Sequence, residues 1–228
     1  MPIASKLESD EQFTEALNVN ESILRWLGIV SVPVLFPMLV YPSHVIRFIY
    51  RADYATGWPA LVVLAAGFAV HNVFSANRSL LTAIGRTKVI MLNNALAGGV
   101  NLGLNLYLIP RYGITGAAVA TVASYLLRDL VVLAELKHLT GRLTITRRVL
   151  APLALAVPVF AAGSYLSTLL PISIVVVGAL TAVVGLTYAL LIVVVLGFAP
   201  EEVMLLRSAE EKYGLSLGPL DDIVDRFS

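Results

Sequence analysis

The stretch NNALAGGVNLGLNLYLIPRYGITGAAVATVASYLLRDL, residues 93–130, decides the fold. Two apolar segments flank the turn Pro110-Arg111-Tyr112-Gly113, and the first of them, 89–109, contains no charged residue. A helix needs about 20 mainly apolar residues to cross the roughly 30 Å hydrocarbon core of a bilayer. Both segments are long enough, so the stretch predicts two membrane-spanning helices joined by a short turn.

The composition of the whole chain points to the same class. Of its 228 residues, 58% are hydrophobic and 14% are charged, whereas soluble domains are about half apolar and a quarter charged. The net charge of +1 argues against nucleic acid as a partner, because phosphate binding needs a concentrated basic face. There is no cysteine, which excludes a disulfide framework and cysteine-rich metal patterns. No cofactor or metal site is predicted.

The rest of the chain divides into further spans and two polar ends. None of the apolar runs alternates as β-barrel strands do, so the predicted fold is all-α, an integral membrane bundle. Pro33, Pro37 and Pro42 interrupt the first span, and only Pro171 and its neighbours separate the last two, which predicts a tight hairpin. The six predicted transmembrane helices are 26–46, 58–76, 89–109, 114–133, 149–170 and 172–198, within a lobe of residues 23–198. Residues 1–22 are predicted to be a polar cytoplasmic segment, and residues 199–228 a cytoplasmic tail with an amphipathic helix.

The distribution of basic residues predicts the orientation. Cytoplasmic loops carry an excess of Lys and Arg, and the loops on the side of the N-terminus hold the larger number. Both termini are therefore predicted to be cytoplasmic, in a multi-pass protein of the cell membrane. The positives on the N-terminal side are Arg86, Lys88, Lys137, Arg142, Arg147 and Arg148, against Arg47, Arg51 and Arg111 on the other side.

Amides are unusual in a membrane span, and the third span contains four. Asn94, Asn101 and Asn105 share one helix face, because positions four and seven apart lie on the same side. Two interpretations are open: the amides hydrogen-bond between helices, or they line a hydrated cavity that binds a polar cargo. Beside them runs a second stripe of small residues, Ala95, Gly99 and Gly103, which predicts close packing of the hairpin with the small residues after Gly113.

Ionisable residues within spans are costly and therefore informative. Arg128 and Asp129 lie late in the fourth span and Arg78 ends the second, which predicts that they reach toward the membrane interface. His71 lies deeper in its span. Two interpretations are open: it hydrogen-bonds between helices, or it is a proton relay. The chain has no Gly-rich phosphate loop, no HExxH, no GxSxG and no carboxylate pair within a span, so it is not predicted to be an enzyme.

The sequence NLGLNLYLIPRYGITGAAVAT, residues 101–121, resembles the C-terminal lobe of polysaccharide and oligosaccharide flippases, the polysaccharide biosynthesis C-terminal domain. These proteins belong to the multidrug/oligosaccharidyl-lipid/polysaccharide exporter superfamily. AIGRTK at 83–88 fits the turn that family members place before this helix, and PIASKL at 2–7 fits the connection before their second lobe. The resemblance is specific at 83–121 and weak in the last two spans.

The resemblance implies one lobe of a two-lobe transporter. Family members have two lobes of six spans around a cleft, and this chain has the spans of the second lobe. The first lobe is then expected on a separate chain, and this chain is a truncated or split second half. Alternatively, a second copy of this chain replaces the first lobe in a homodimer.

By the same resemblance, the transporter flips a lipid-linked oligosaccharide or polysaccharide precursor across the cytoplasmic membrane by alternating access. Cationic and amide groups would hold the phosphate and sugar hydroxyls of the cargo while its lipid tail stays in the bilayer. Two alternatives remain: a drug or cation antiporter lobe of the same superfamily, or a non-transporting membrane scaffold or inactive fragment. The candidate substrate-binding residues, chosen by type and depth, are Arg78, Arg128, Asn94, Asn101 and Asn105.

Overall fold

The computed structural model describes residues 2–141 and 144–197, with side chains from residue 16 onward. Within these ranges the chain is helical and contains no strand, so the predicted all-α membrane bundle is confirmed. Arg142 and the predicted tail 199–228 lie outside the described residues. The helices are α1 (Pro2–Val40), α2 (Pro42–Ile49), a 3₁₀ helix (Ala52–Gly57), α3 (Trp58–Ala83), α4 (Thr87–Thr140), α5 (Arg147–Ser167) and α6 (Ile174–Leu191), which continues into a π-helical turn (Ile192–Leu196).

Five of the described helical segments are long and apolar enough to cross a membrane, whereas the sequence predicted six. The count differs because the third and fourth predicted spans both lie in α4, whose 54 residues exceed one crossing. This helix doubles back at Gly113, which has a φ of 56° and a ψ of −135°. We call residues 87–112 the first arm and residues 114–140 the second arm. The five segments are Ala16–Val40, Ala52–Ala83, Thr87–Thr140, Arg147–Ser167 and Ile174–Leu196.

Prolines and glycines mark several helix boundaries. Pro42 opens α2 directly after α1 ends, and Gly141 ends α4 with a φ of 69°, a left-handed conformation that glycine adopts at low cost. Pro33 and Pro37, by contrast, lie inside α1 and do not interrupt it, so the predicted interruption at these two residues is wrong. A spanning helix tolerates internal prolines where neighbouring helices support it.

The spans run alternately between two ends of the bundle. We name these ends after the turns that they contain, the Gly85 end and the Gly113 end. Asn20 contacts Asn77 and Ser31 contacts Asn72, so α1 and α3 are antiparallel. The α4 hairpin packs on α3, while α1 also packs on α5 and α6. Helix α1 therefore stands between two different sides of the bundle.

The first side consists of α1, α5 and α6, and its contacts are apolar. Gly163 allows the closest approach, because a Cβ atom placed on it would lie 2.7 Å from both Phe36 and Val184. We call this the apolar side. Its buried cluster consists of Val32, Phe36, Tyr41, Ala156, Val159, Val177, Leu180, Val184, Tyr188 and Ile192.

The second side consists of α3 and the two arms of α4, and we call it the polar side. The arms come into contact near the turn, where a Cβ atom on Gly116 would lie 2.4 Å from the carbonyl oxygen of Leu108. The predicted small-residue stripe does not make this contact. Cβ atoms placed on Gly99 and Gly103 would meet nothing within 4 Å among the described residues, so that prediction is wrong. The arms meet instead on the face with Asn93, Ala97 and Asn101.

Candidate functional site

Amide side chains join the two arms of α4. The Asn93 amide donates to Glu135 Oε2 at 2.8 Å, and the Asn101 amide donates to Ser124 Oγ at 3.2 Å. The Asn105 amide donates to Asn101 Oδ1 at 2.9 Å, one turn along the first arm. Asn101 and Asn105, which the sequence suggested for cargo, are thus engaged in hydrogen bonds of the hairpin.

A cluster of ionisable groups lies between α3 and the second arm. His71 is at the middle of α3, and its Nδ1 is 2.5 Å from Oδ2 of Asp129. Arg128 places its Nε 3.8 Å from the other carboxylate oxygen of Asp129. The three side chains are only 14% (His71), 7% (Asp129) and 10% (Arg128) exposed, so they lie within the bundle. The sequence had predicted that Arg128 and Asp129 reach the interface.

Aromatic rings and one amide surround this cluster. The Tyr125 ring centroid is 5.3 Å from that of His71, and the Arg128 guanidinium lies 4.8 Å from the centroid of Tyr125. Phe68 closes the same side, at 6.2 Å from His71 between ring centroids. Arg128 also donates to Asn94 Oδ1 at 3.5 Å, a long hydrogen bond that brings two of the candidate cargo residues together.

Arg78 lies apart from this cluster, in a groove between α1 and α3. The groove has a volume of about 650 Å³ and is open to the surface. Its guanidinium has no hydrogen-bond or ion-pair partner in the part of the chain that the structure describes. The polar residues that line the groove beside it are Asn20, Ser75 and Ser79. Of the five candidate cargo residues, Arg78 is the one that lines this groove.

The chain is similar to the uncharacterized membrane protein MJ1068 of Methanocaldococcus jannaschii. The two are 28% identical over 125 residues, which are 54% of this chain and 24% of that protein. This chain thus matches about a quarter of its relative's length. No protein-family model matches the chain, and no solved structure matches it. Together with the apolar helices, the similarity decides the class. This chain is a membrane protein.

Three polar contacts of this membrane protein were not predicted from its sequence. The Asn20 amide donates to Asn77 Oδ1 at 2.9 Å, and the buried Arg25 donates to the carbonyl oxygen of Gly197 at 2.7 Å. Thr146 donates to Glu21. They join α1 to α3 and to the ends of α5 and α6 at the Gly85 end. A signal was present, since Glu21 and Arg25 are four residues apart and therefore share a helix face. In the described ranges no three His, Cys, Asp or Glu side chains are grouped where they would hold a metal ion.

Proposed function

We propose that this membrane protein is one lobe of a transporter that flips a lipid-linked oligosaccharide or polysaccharide precursor across the cell membrane. Two observations support the proposal: the sequence at 83–121 resembles the second lobe of glycan flippases, and Arg78 stands in an open groove. The second carries most of the argument, because it is a feature of this chain's own structure.

Arg78 has the chemistry that a lipid phosphate requires. A guanidinium presents several N–H donors in a planar fork that matches a phosphate group. Ser75 and Ser79 lie near it on α3, and Asn20 lines the same groove from α1, so hydroxyl and amide groups lie close to the guanidinium. A charged side chain without a partner is costly near the hydrocarbon core, which is a reason to expect an anionic ligand.

The shape of the groove suits a cargo with a lipid tail. Val19, Ile23 and Leu27 of α1 form its apolar wall, beside the polar residues on α3. In the proposal, the phosphate binds at Arg78 and the tail lies along the apolar wall in the bilayer. The Gly85 end faces the cytoplasm, as the excess of basic residues in its loops indicates, so Arg78 meets the cargo from the cytoplasmic leaflet. A first lobe completes the cleft.

The proposal is tested by deleting the gene and restoring it with variants. Deletion is expected to cause lipid-linked sugar to accumulate in the membrane, and the wild-type gene to clear it. Arg78→Ala should reduce export about tenfold or more, since a hydrogen bond to a charged group contributes about 1.5–3 kcal/mol. The measurement is the amount of radiolabelled lipid-linked glycan in membranes that contain equal amounts of each variant.

Arg86→Ala is the matched control. Arg86 is an exposed arginine in the turn directly after α3, at the same end of the bundle, and it does not line the groove. This variant should export like the wild type. Unchanged export in Arg78→Ala, at wild-type protein level, would contradict the proposed role of Arg78.

The second candidate, a drug or cation antiporter lobe, is favoured by one observation. Such a transporter needs an ionisable group within a span, and Asp129 is buried there against His71. Deletion would then increase sensitivity to toxic compounds and leave lipid-linked sugars unchanged. Neither phenotype would be expected of a scaffold, so the same deletion strain separates all three functions.

A further inference from the structure

The connection between α1 and α3 lies beyond both spans, at the Gly113 end of the bundle. The spanning part of α1, Ala16–Val40, has 25 residues and α3 has 26. At about 1.5 Å per residue, each is longer than the roughly 30 Å hydrocarbon core, so the residues between them lie at the membrane interface. We call residues 41–57 the connecting segment, which consists of Tyr41, α2, the residues Tyr50 and Arg51, and the 3₁₀ helix.

Helix α2 is amphipathic, and the bundle does not cover its apolar face. At helical spacing, Val45, Phe48 and Ile49 share one face, and Ser43 and Arg47 share the opposite face. No residue of α2 is buried, and Phe48 and Ile49 are 40% and 67% exposed. Exposure of such side chains to water is unfavourable. An amphipathic helix at a bilayer surface instead places its apolar face among the acyl chains and its polar face at the headgroups.

Exposed aromatic side chains gather at the same end of the molecule. Trp and Tyr are enriched where a membrane meets water, because each joins an apolar ring to a polar N–H or O–H group. In the connecting segment, the Tyr50 and Tyr54 rings lie 6.5 Å apart between centroids. The exposed Trp and Tyr residues of the Gly113 end are Tyr50, Tyr54, Trp58, Tyr107, Tyr112 and Tyr165. They indicate that this end lies at the depth of the lipid headgroups.

The connecting segment carries an excess of positive charge. The exposed Arg47 makes no hydrogen bond or ion pair with any residue that the structure describes. Arg51 lies 3.9 Å from Asp53, but their side chains are 83% and 82% exposed, and an ion pair in water contributes little. Asp53 is the only acidic residue in the sequence of the segment. Two guanidinium groups are therefore available to phosphate oxygens, which they bind in a bidentate geometry.

We propose that the connecting segment binds anionic membrane phospholipids, with Arg47 and Arg51 at the phosphates and the apolar face of α2 among the acyl chains. The excess positive charge favours a lipid such as phosphatidylglycerol over phosphatidylcholine, which carries its own positive group beside the phosphate. Bound lipid holds the adjoining ends of α1 and α3 at a fixed depth in the membrane. The Arg78 groove lies at the opposite end of the bundle, so this site is independent of the proposed cargo site.

Tryptophan fluorescence tests the proposal, because the chain has two tryptophans and Trp58 directly follows the connecting segment. Trp26→Phe leaves Trp58 as the single reporter in the full chain, which is reconstituted in lipid nanodiscs. Two samples contain the same mixture of phosphatidylglycerol and phosphatidylcholine and differ only in which lipid carries bromine, a contact quencher, on its acyl chains near the headgroup. Phosphatidylglycerol should associate with the segment about fivefold more than phosphatidylcholine does, the effect of one basic residue at an anionic surface.

Three variants of the Trp58 reporter sharpen the result. Arg47→Gln combined with Arg51→Gln should abolish the preference, whereas Asp53→Asn should increase it, because Arg51 is then released from its ion pair. Arg111→Gln is the matched control at the same end and should keep the preference, since Arg111 lies 3.8 Å from the Tyr107 ring centroid and donates to the Tyr107 carbonyl oxygen. Equal quenching by the two brominated lipids in the reporter, or a preference that persists without Arg47 and Arg51, would overturn the proposal. Quenching by neither lipid would overturn it as well, because water or a protein would then cover the segment.

Discussion

On the apolar side of the bundle, α1, α5 and α6 meet through Phe36, Val184 and Tyr188, whereas on the polar side α3 and α4 meet through His71 and Asp129. Lipid tails are as apolar as these side chains, so the apolar side is held by close packing rather than by exclusion of water. Each polar group of the other side must find a partner within the bundle. The difference predicts that the apolar side contributes more to the stability of the bundle than the polar side does.

The largest expected effect on stability comes from the apolar side. Phe36 is fully buried and packs edge-on against Phe160, with 5.4 Å between ring centroids. Phe36→Ala should lower the free energy of unfolding by about 3 kcal/mol, because the cavity cannot close fully. The measurement is reversible unfolding in mixed micelles. Phe48→Ala, in the exposed part of α2, is the matched control, and an equal loss in both variants would mean that the apolar cluster is not the stabilising core.

A smaller effect is expected on the polar side. Asn101 donates to Ser124 and accepts from Asn105. Asn101→Leu should lower the free energy of unfolding by only about 0.6 kcal/mol, the average for hydrogen bonds between membrane helices. Asn94→Leu should change it less, because its hydrogen bond to Arg128 is 3.5 Å long. A loss in Asn101→Leu as large as in Phe36→Ala would break the proposed division between the two sides.

The sequence predicted the fold well where local chemistry decides. Long uncharged runs predicted spanning helices, and the turn at Pro110–Gly113 predicted the reversal of α4. The boundaries were less accurate, because helix hydrogen bonding continues beyond the apolar run: α3 extends to Ala83 and α4 to Thr140. Pro33 and Pro37 were predicted to interrupt the first span, but α1 continues through both of them, since neighbouring helices of the bundle support it.

The site was predictable only in part. Residue type and depth selected Arg78, Arg128 and the asparagines, but no periodicity within one helix says which residue of another helix lies opposite. The contact between His71 and Asp129 joins residues 58 positions apart and depends on the packing of α3 against the second arm. The glycine stripe was misassigned for the same reason, because the helix face with Gly99 and Gly103 turns away from the second arm. What a helix face meets is a property of the assembled bundle.

Helix α4 doubles back at Gly113, so both of its arms are expected to cross the membrane. The hairpin can be tested with single introduced cysteines. Because the chain contains no cysteine of its own, each introduced cysteine is its only thiol for labelling. Tyr112→Cys is at the turn, whereas Lys88→Cys and Lys137→Cys are at the far ends of the two arms. In intact cells, a membrane-impermeant maleimide should label Tyr112→Cys, and label the other two only after permeabilisation. Labelling of all three from the same side of the membrane would contradict the hairpin.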